Sequence, residues 1–128
     1  MPTNAKILVV DDEEALVDLC KKILQSVGYT VRGAISGDEA LTMVFEEMPD
    51  LILLDVMMPE MDGIEVCREI RKKHPDERPY IVMYTADSRE ETRKSSMNAG
   101  ANDLITKATP IYELPSRING FLEDDEAH

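Results

Sequence analysis

Cysteine and histidine are scarce in this chain, with two of each among 128 residues. Cys20 and Cys67 form no CxxC pair, His74 lies in a polar Lys-Lys-His-Pro segment, and His128 is the last residue. These residues therefore offer neither a Cys/His metal cluster nor a disulfide framework. We interpret both cysteines as reduced side chains packed on helices.

Long apolar runs are also missing. No run approaches the length of a membrane-spanning helix, and the first residues, Met-Pro-Thr-Asn-Ala-Lys, are too few and too polar for a signal peptide. We therefore expect a soluble, cytoplasmic protein that does not bind a membrane. The length suits one domain, which we place at residues 1–122, followed by an acidic C-terminal tail at residues 123–128.

Basic residues are outnumbered by acidic ones. The chain has 14 Lys and Arg against 26 Asp and Glu, a formal net charge of −12 at pH 7. Direct nucleic-acid binding depends on basic side chains that displace counterions, so this balance argues against it. Part of the excess is the solvated run at residues 123–126. The remaining acidity fits a partner with a basic face or a bound cation, and composition does not distinguish the two.

What the chain does have is a regular alternation of short apolar runs and amphipathic segments. The runs predict five strands, at residues 6–10, 29–34, 51–54, 80–84 and 103–106. Helical spacing predicts helices at 13–27, from 36 to Pro49, from 61–63 to before His74, and at 88–98, with a fifth near the C-terminus. Five β-α repeats imply a parallel sheet with helices on both faces and right-handed crossovers.

Local signals predict where individual helices begin. Ser36 with Glu39, and Ser88 with Glu91, have the spacing of capping boxes. Pro115 interrupts the last helical pattern, and an interior proline costs about 3 kcal/mol. We therefore predict that the last regular helix starts near Pro115 or is kinked there.

Polar side chains follow four of the predicted strands. Asp11 and Asp12 follow the first strand, Asp55 the third, Thr85 the fourth and Lys107 the fifth. Parallel strands end at the same edge of a sheet, so we expect these side chains to converge there. Asp55 is the candidate reacting group, because it ends a four-residue apolar run and a buried carboxylate needs compensation.

These residue types make chemical sense together. Three carboxylates in proximity raise each other's pKa unless positive charge is supplied, and Lys107 with a divalent cation would balance them. Ligands that are all oxygen suit a hard cation such as Mg²⁺. A carboxylate nucleophile with Mg²⁺, a lysine and a hydroxyl is equipped for phosphoryl transfer.

Several motifs resemble those of a response-regulator receiver domain of two-component signalling. They are Val9-Val10-Asp11-Asp12-Glu13, Asp55-Val56-Met57-Met58-Pro59-Glu60-Met61-Asp62-Gly63, Thr85-Ala86 and Lys107. The likeness extends over residues 5–122, and the run from residue 55 to residue 63 is its most specific part. It implies an α/β fold, the doubly wound (βα)5 flavodoxin-like parallel sheet with strand order 2-1-3-4-5.

The resemblance also implies the cofactor and its ligands. Asp12 and Asp55 would bind Mg²⁺ directly, while Asp11 would hold it largely through water. The backbone carbonyl of Met57 would be a further ligand. The metal site would therefore combine side chains from two strand ends with one loop carbonyl.

The implied function is that of a phosphoacceptor switch. Asp55 would accept phosphate from a sensor histidine kinase or a phosphotransfer protein. Thr85 would hydrogen-bond the phosphoryl group and Lys107 would form an ion pair with it. The protein would catalyse only its own phosphorylation and dephosphorylation, so it would not be an enzyme in the usual sense. It would act as a monomer or weak homodimer, and a downstream protein would bind the face made by the fourth helix, fifth strand and fifth helix.

Two positions depart from the family pattern. Leu104 stands where receivers usually have Tyr or Phe, and Ala108 stands where a proline usually follows the lysine. Leucine lacks the half-polar ring that reports phosphorylation, so the output geometry should be unusual. Because a non-proline cis bond costs about 2.5–4 kcal/mol, we predict a trans Lys107–Ala108 bond.

Other functions remain as alternatives. Leu104 and Ala108 would suit a phosphorylation-independent pseudo-receiver that serves as an interaction module. An Mg²⁺-dependent phosphohydrolase with an aspartyl nucleophile, of the haloacid-dehalogenase-like type, would need a second acid two residues after Asp55, where the chain has Met57. A nucleotide-binding enzyme would need a Gly-rich loop after the first strand. The sequence leaves open whether the receiver stands alone or belongs to a longer regulator.

Overall fold

The computed structural model describes residues 4–75 and 78–127. Its strands are β1 (Lys6–Val10), β2 (Thr30–Ala34), β3 (Leu51–Leu54), β4 (Tyr80–Thr85) and β5 (Asp103–Thr106). Its α-helices are α1 (Glu14–Gln25), α2 (Gly37–Glu46), α3 (Gly63–Lys73), α4 (Glu90–Asn98) and α5 (Leu114–Ala127). Residues 1–3, 76 and 77 of the predicted domain and His128 of the predicted tail lie outside the described residues. Within those ranges, no helix is long and apolar enough to cross a membrane.

The strands form one parallel sheet in the order β2-β1-β3-β4-β5. This confirms the predicted fold class and strand order. Val10 of β1 pairs with Leu54 of β3, and Leu54 pairs with Met83 of β4. The central strands therefore end at nearly the same level, and the residues that follow them lie along one edge.

Alternating side chains of the sheet belong to two apolar cores, one on each face. On one face, Leu8, Ile52 and Met83 pack with residues of α2 and α3. On the other face, Leu53 and Ile105 pack with residues of α1 and α5. Each fully buried Leu or Ile stabilises the fold by about 1.5–3 kcal/mol, so both layers hold the sheet edge rigidly in place.

The start of α2 follows its predicted capping box. The Ser36 hydroxyl accepts a hydrogen bond from the Glu39 amide at 3.2 Å. In return, the Glu39 carboxylate accepts from the Ile35 amide at 2.8 Å. One amide of the first turn and the amide of the residue before the N-cap are thereby satisfied.

The second predicted capping box, Ser88 with Glu91, is wrong. Helix α4 begins at Glu90, and its N-cap residue, Arg89, makes no side-chain cap hydrogen bond. The carboxylate of Asp87 instead accepts a hydrogen bond from the Arg89 amide at 3.0 Å. Because the helix begins one residue later than predicted, Ser88 lies before the N-cap position and Glu91 is not the third residue after the cap.

The C-terminal helix confirms the prediction at Pro115. A short 3₁₀ helix at Ile111–Glu113 precedes α5, which begins at Leu114, so Pro115 lies in its first turn. The amides of that turn have no helical acceptor, and a missing N–H is tolerated there. Helix α5 continues to Ala127, and the domain boundary at residue 122 stays a prediction.

Candidate functional site

Backbone hydrogen bonds fix where the two buried carboxylates leave the sheet. The amide of Asp55 donates to the Val10 carbonyl at 2.9 Å, and the amide of Asp11 donates to the Ala34 carbonyl at 3.1 Å. Sheet pairing thus continues one residue past β1 and β3. The side chains of Asp11 and Asp55 are consequently held beside each other at the carboxyl edge.

The structure brings the three acids together. Asp11, Asp12 and Asp55 each offer a carboxylate oxygen within 4.8 Å of the other two. Asp11 is 3% exposed and Asp55 is 5% exposed, whereas Asp12 faces solvent. The cluster therefore has a buried floor and an open side through which a cation or a phosphate donor could enter.

Lys107 reaches into this cluster from the end of β5. Its Nζ lies 2.7 Å from Oδ2 of Asp11 and 3.5 Å from Oδ2 of Asp55. Burial by itself would lower the pKa of Lys107, but the hydrogen bond to Asp11 and the charge of Asp55 outweigh it and raise the pKa. The lysine is therefore a fixed positive charge, held between the two buried acids.

Negative charge still exceeds positive charge around Asp55. Burial, followed by repulsion from Asp11, raises the pKa of the Asp55 carboxyl above its usual value. Lys107 and a hydrogen bond from the Met57 amide at 3.3 Å oppose this shift without cancelling it. Three carboxylates facing one ammonium form a site whose oxygen donors suit a hard divalent cation.

Thr85 completes the edge from the end of β4. Its side chain is fully buried, its hydroxyl oxygen accepts from the Asp87 amide at 3.2 Å, and its carbonyl accepts from the Lys107 amide at 2.8 Å. The backbones of Thr85 and Lys107 are thus tied directly together. Met57 lies beside the site and is 61% exposed, while the role of its carbonyl stays a prediction.

Gly63 belongs to the site, although the sequence showed it only as part of a turn. A Cβ atom at this position would overlap the carbonyl oxygen of Asp55. The preceding Asp62 caps α3 by accepting from the Glu65 amide at 2.9 Å. The Asp-Gly pair in the sequence indicates a turn into a helix at this point. The closeness of Gly63 to the Asp55 carbonyl could be seen only in the structure.

Comparison with known proteins decides the family. The family model described as the response regulator receiver domain matches residues 7–119. The chain belongs to this family. It is therefore the receiver domain of a two-component response regulator, a signalling domain and not a conventional enzyme.

Solved structures agree with the assignment. A CheY-like receiver domain protein from Methanospirillum hungatei is 32% identical, with a TM-score of 0.89 over 97% of this chain and 98% of that one. The BeF3-activated DrrB receiver domain is 32% identical, with a TM-score of 0.82 over 94% and 98%. NtrX from Brucella abortus is 33% identical, with a TM-score of 0.87 over 97% of this chain and 28% of that one.

The two departures from the family pattern can now be placed in the receiver. Leu104 is 5% exposed and belongs to the core that contains α2 and α3. Among the described residues, the cis peptide bond joins Arg78 to Pro79, so the Lys107–Ala108 bond is trans as predicted. The loop after Lys107 thus carries no cis bond at that point, and Lys107 still reaches the acids.

Proposed function

We propose that this receiver is a phosphoacceptor, in which Asp55 takes a phosphoryl group from a phosphohistidine in an Mg²⁺-dependent reaction. The donor would be a sensor histidine kinase or a phosphotransfer protein. The observation that carries the proposal is the position of Lys107. Its ammonium lies within 3.5 Å of Asp55 and hydrogen-bonds Asp11, while the Asp12 carboxylate is near both acids.

The reaction follows from the groups at the edge. A carboxylate oxygen of Asp55 attacks phosphorus in line, so a P–O bond forms as the P–N bond of the donor breaks. The electron pair of that bond leaves with the imidazole nitrogen, which takes a proton from solvent. Lys107 is close enough to pair with the transferred phosphoryl oxygens, and the hydroxyl of Thr85 can donate a hydrogen bond to one of them.

The acids provide a fitting set of donors for Mg²⁺. Asp12 and Asp55 would hold it directly, Asp11 would hold it largely through water, and the Met57 carbonyl would be a further ligand. Bound Mg²⁺ would neutralise charge on the phosphoryl oxygens. The exposed position of Asp12 leaves its carboxylate free to turn toward such an ion.

Phosphorylation would then change what the receiver binds. The downstream protein would contact the face formed by α4, β5 and α5, and the receiver would work in the cytoplasm as a monomer or weak homodimer. A phosphorylation-independent pseudo-receiver is not favoured, because that role would not need Lys107 and three acids to meet. Leu104 in place of an aromatic residue fits an output that does not rely on a swinging ring.

Phosphate labelling tests the proposal. The protein is incubated with acetyl phosphate and Mg²⁺, and its intact mass is followed. We expect phosphate on the wild type, none on Asp55→Asn, and none when EDTA replaces Mg²⁺. Asp18→Asn, which changes an exposed acid on α1 in the same way, should label normally. An unlabelled wild type, or a labelled Asp55→Asn variant, would overturn the proposal.

A further inference from the structure

The loop between β4 and α4 is held by one carboxylate. Asp87 accepts hydrogen bonds from Nε and Nη2 of Arg89 at 2.9 and 2.7 Å, and from the Thr92 hydroxyl at 2.7 Å. The Asp87 side chain is 8% exposed, whereas that of Arg89 is 67% exposed. We name these three residues the Asp87 latch. Hydrogen bonds to a charged group are among the stronger ones, so this loop has a defined conformation.

The latch connects two functional parts of the receiver. The amide of Asp87 donates to the hydroxyl oxygen of Thr85 at 3.2 Å. Thr92 lies at the third position of α4. A single residue therefore holds the Thr85 hydroxyl through its main chain and the beginning of α4 through its side chain.

Apolar packing gives helix α4 little anchorage. The side chains that it buries are polar, namely Thr92 and Ser96. The Ser96 hydroxyl is fully buried without a hydrogen-bond partner. A helix that buries no large apolar side chain belongs to the less stable part of a fold, so the latch should hold α4 more than it would hold a well-packed helix.

We propose that Asp87 is a positioning residue that couples Thr85 to α4 and holds both in the unphosphorylated arrangement. The proposal rests on the proposed function, in which the Thr85 hydroxyl donates a hydrogen bond to the phosphoryl group on Asp55. As Thr85 shifts toward that group, it carries the Asp87 amide with it and pulls the carboxylate away from Arg89 and Thr92. The latch therefore opposes the phosphorylated state, and α4 is released as Thr85 moves.

Thermodynamic reciprocity makes this testable in both directions. If phosphorylation weakens the latch, weakening the latch must favour the phosphorylated state by the same free energy. Arg89→Gln removes the guanidinium from an exposed position, and Thr92→Val removes the hydroxyl at nearly constant volume. Arg89→Lys keeps the charge but loses the bidentate hydrogen bonding to Asp87, so its effect on exchange and on binding should be intermediate.

The experiment has one arm without ligand and one with beryllofluoride and Mg²⁺ as the phosphoryl mimic. Without ligand, we expect amide hydrogens of α4 to exchange faster in Arg89→Gln and Thr92→Val than in the wild type. With beryllofluoride, both variants should bind about 2- to 10-fold more tightly in an NMR titration. The matched control is Arg93→Gln, which removes the same charge from an exposed position on α4 and should change neither measurement.

The two arms separate the failure of this proposal from the failure of the proposed function. Unchanged exchange in both latch variants overturns the latch, as does an equal effect in Arg93→Gln. If exchange is faster but beryllofluoride binding is unchanged or weaker, the Asp87 latch holds α4 without opposing the phosphorylated state, and that part of the proposal is wrong. A wild type that does not bind beryllofluoride overturns the proposed function, and the exchange arm still decides whether Asp87 holds α4.

Discussion

Asp55 carries its charge where water can do little to stabilise it. Burial and the neighbouring Asp11 raise its pKa, and Lys107 gives its shorter contact to Asp11. A carboxyl whose pKa is raised by folding stabilises the fold while it is protonated. That contribution is lost as pH rises through the folded pKa. Ionised Asp55 thus lowers the stability of the metal-free protein at neutral pH.

We therefore expect Asp55→Asn to unfold at a higher temperature than the wild type when EDTA is present. The gain should be about 0.5–2 kcal/mol at neutral pH, because a buried carboxylate that lacks full compensation has been replaced by a neutral group of similar shape. It should shrink toward about pH 4, where the wild-type carboxyl becomes protonated as well. Thermal unfolding followed by circular dichroism across this pH range measures both effects.

Asp18→Asn is the control for this prediction, because Asp18 is exposed on α1. A substitution there should stay within about 0.5 kcal/mol of the wild type at every pH. If Asp55→Asn is less stable than the wild type at neutral pH, the ionised carboxylate stabilises the fold and our reading of its environment is wrong.

At the scale of elements, the junction between β3 and α3 holds Asp55 in place through close backbone contact. Gly63 is the first residue of α3, and its amide donates to the Val56 carbonyl at 2.8 Å. A Cβ atom on the same residue would overlap the Asp55 carbonyl oxygen, so a larger side chain would push the helix away from the strand end. The position of Asp55 thus depends on a residue eight positions later in the chain.

We expect Gly63→Ala to destabilise the protein by about 1–3 kcal/mol, because the added methyl group meets backbone that cannot rotate away. Labelling of Asp55 should fall as well. The matched control is Gly120→Ala in α5, where a Cβ would meet nothing within 4 Å. Alanine is the better helix former, so that variant should gain about 0.5–1 kcal/mol. Urea unfolding of both variants tests the contrast, and equal behaviour would refute the steric argument.

Helix α4 offers the opposite case, in which a substitution should improve the protein. The buried Ser96 hydroxyl pays a desolvation penalty without a partner, so Ser96→Ala should stabilise the fold by about 1–3 kcal/mol. Ser95→Ala on the exposed side of α4 isolates helix propensity and should gain only about 0.5 kcal/mol. Urea unfolding would contradict this prediction if the two variants gained equally, or if Ser96→Ala lost stability.

Most secondary-structure elements could be predicted from the sequence. Alternating apolar runs and helical stripes predicted all five strands and helices, because each element repeats its signal over many residues. The predicted start of α4 was wrong because the Ser88 and Glu91 spacing fits a capping box, whereas the helix begins one residue later, after a turn in which Asp87 accepts from the Arg89 amide. The closeness of Gly63 to the Asp55 carbonyl depends on how the end of β3 meets the start of α3, and no local sequence pattern predicts it.

At the scale of the whole molecule, the net charge of −12 makes cations stabilising in two different ways. Any salt screens the repulsion among exposed carboxylates. An ion bound at Asp11, Asp12 and Asp55 would stabilise the folded state further by mass action, because the unfolded chain does not bring these acids together. A comparison at constant ionic strength separates these effects.

We expect Mg²⁺ at ten times its dissociation constant to raise the free energy of unfolding by about 1.4 kcal/mol above NaCl of the same ionic strength. Asp12→Asn should lose most of this increment while keeping the response to NaCl, because Asp12 is exposed and contributes little to packing. Asp18→Asn removes the same charge elsewhere and should respond to Mg²⁺ as the wild type does. If Mg²⁺ and NaCl stabilise all three proteins equally, the ion acts only by screening, and the acids at the sheet edge do not form a magnesium site.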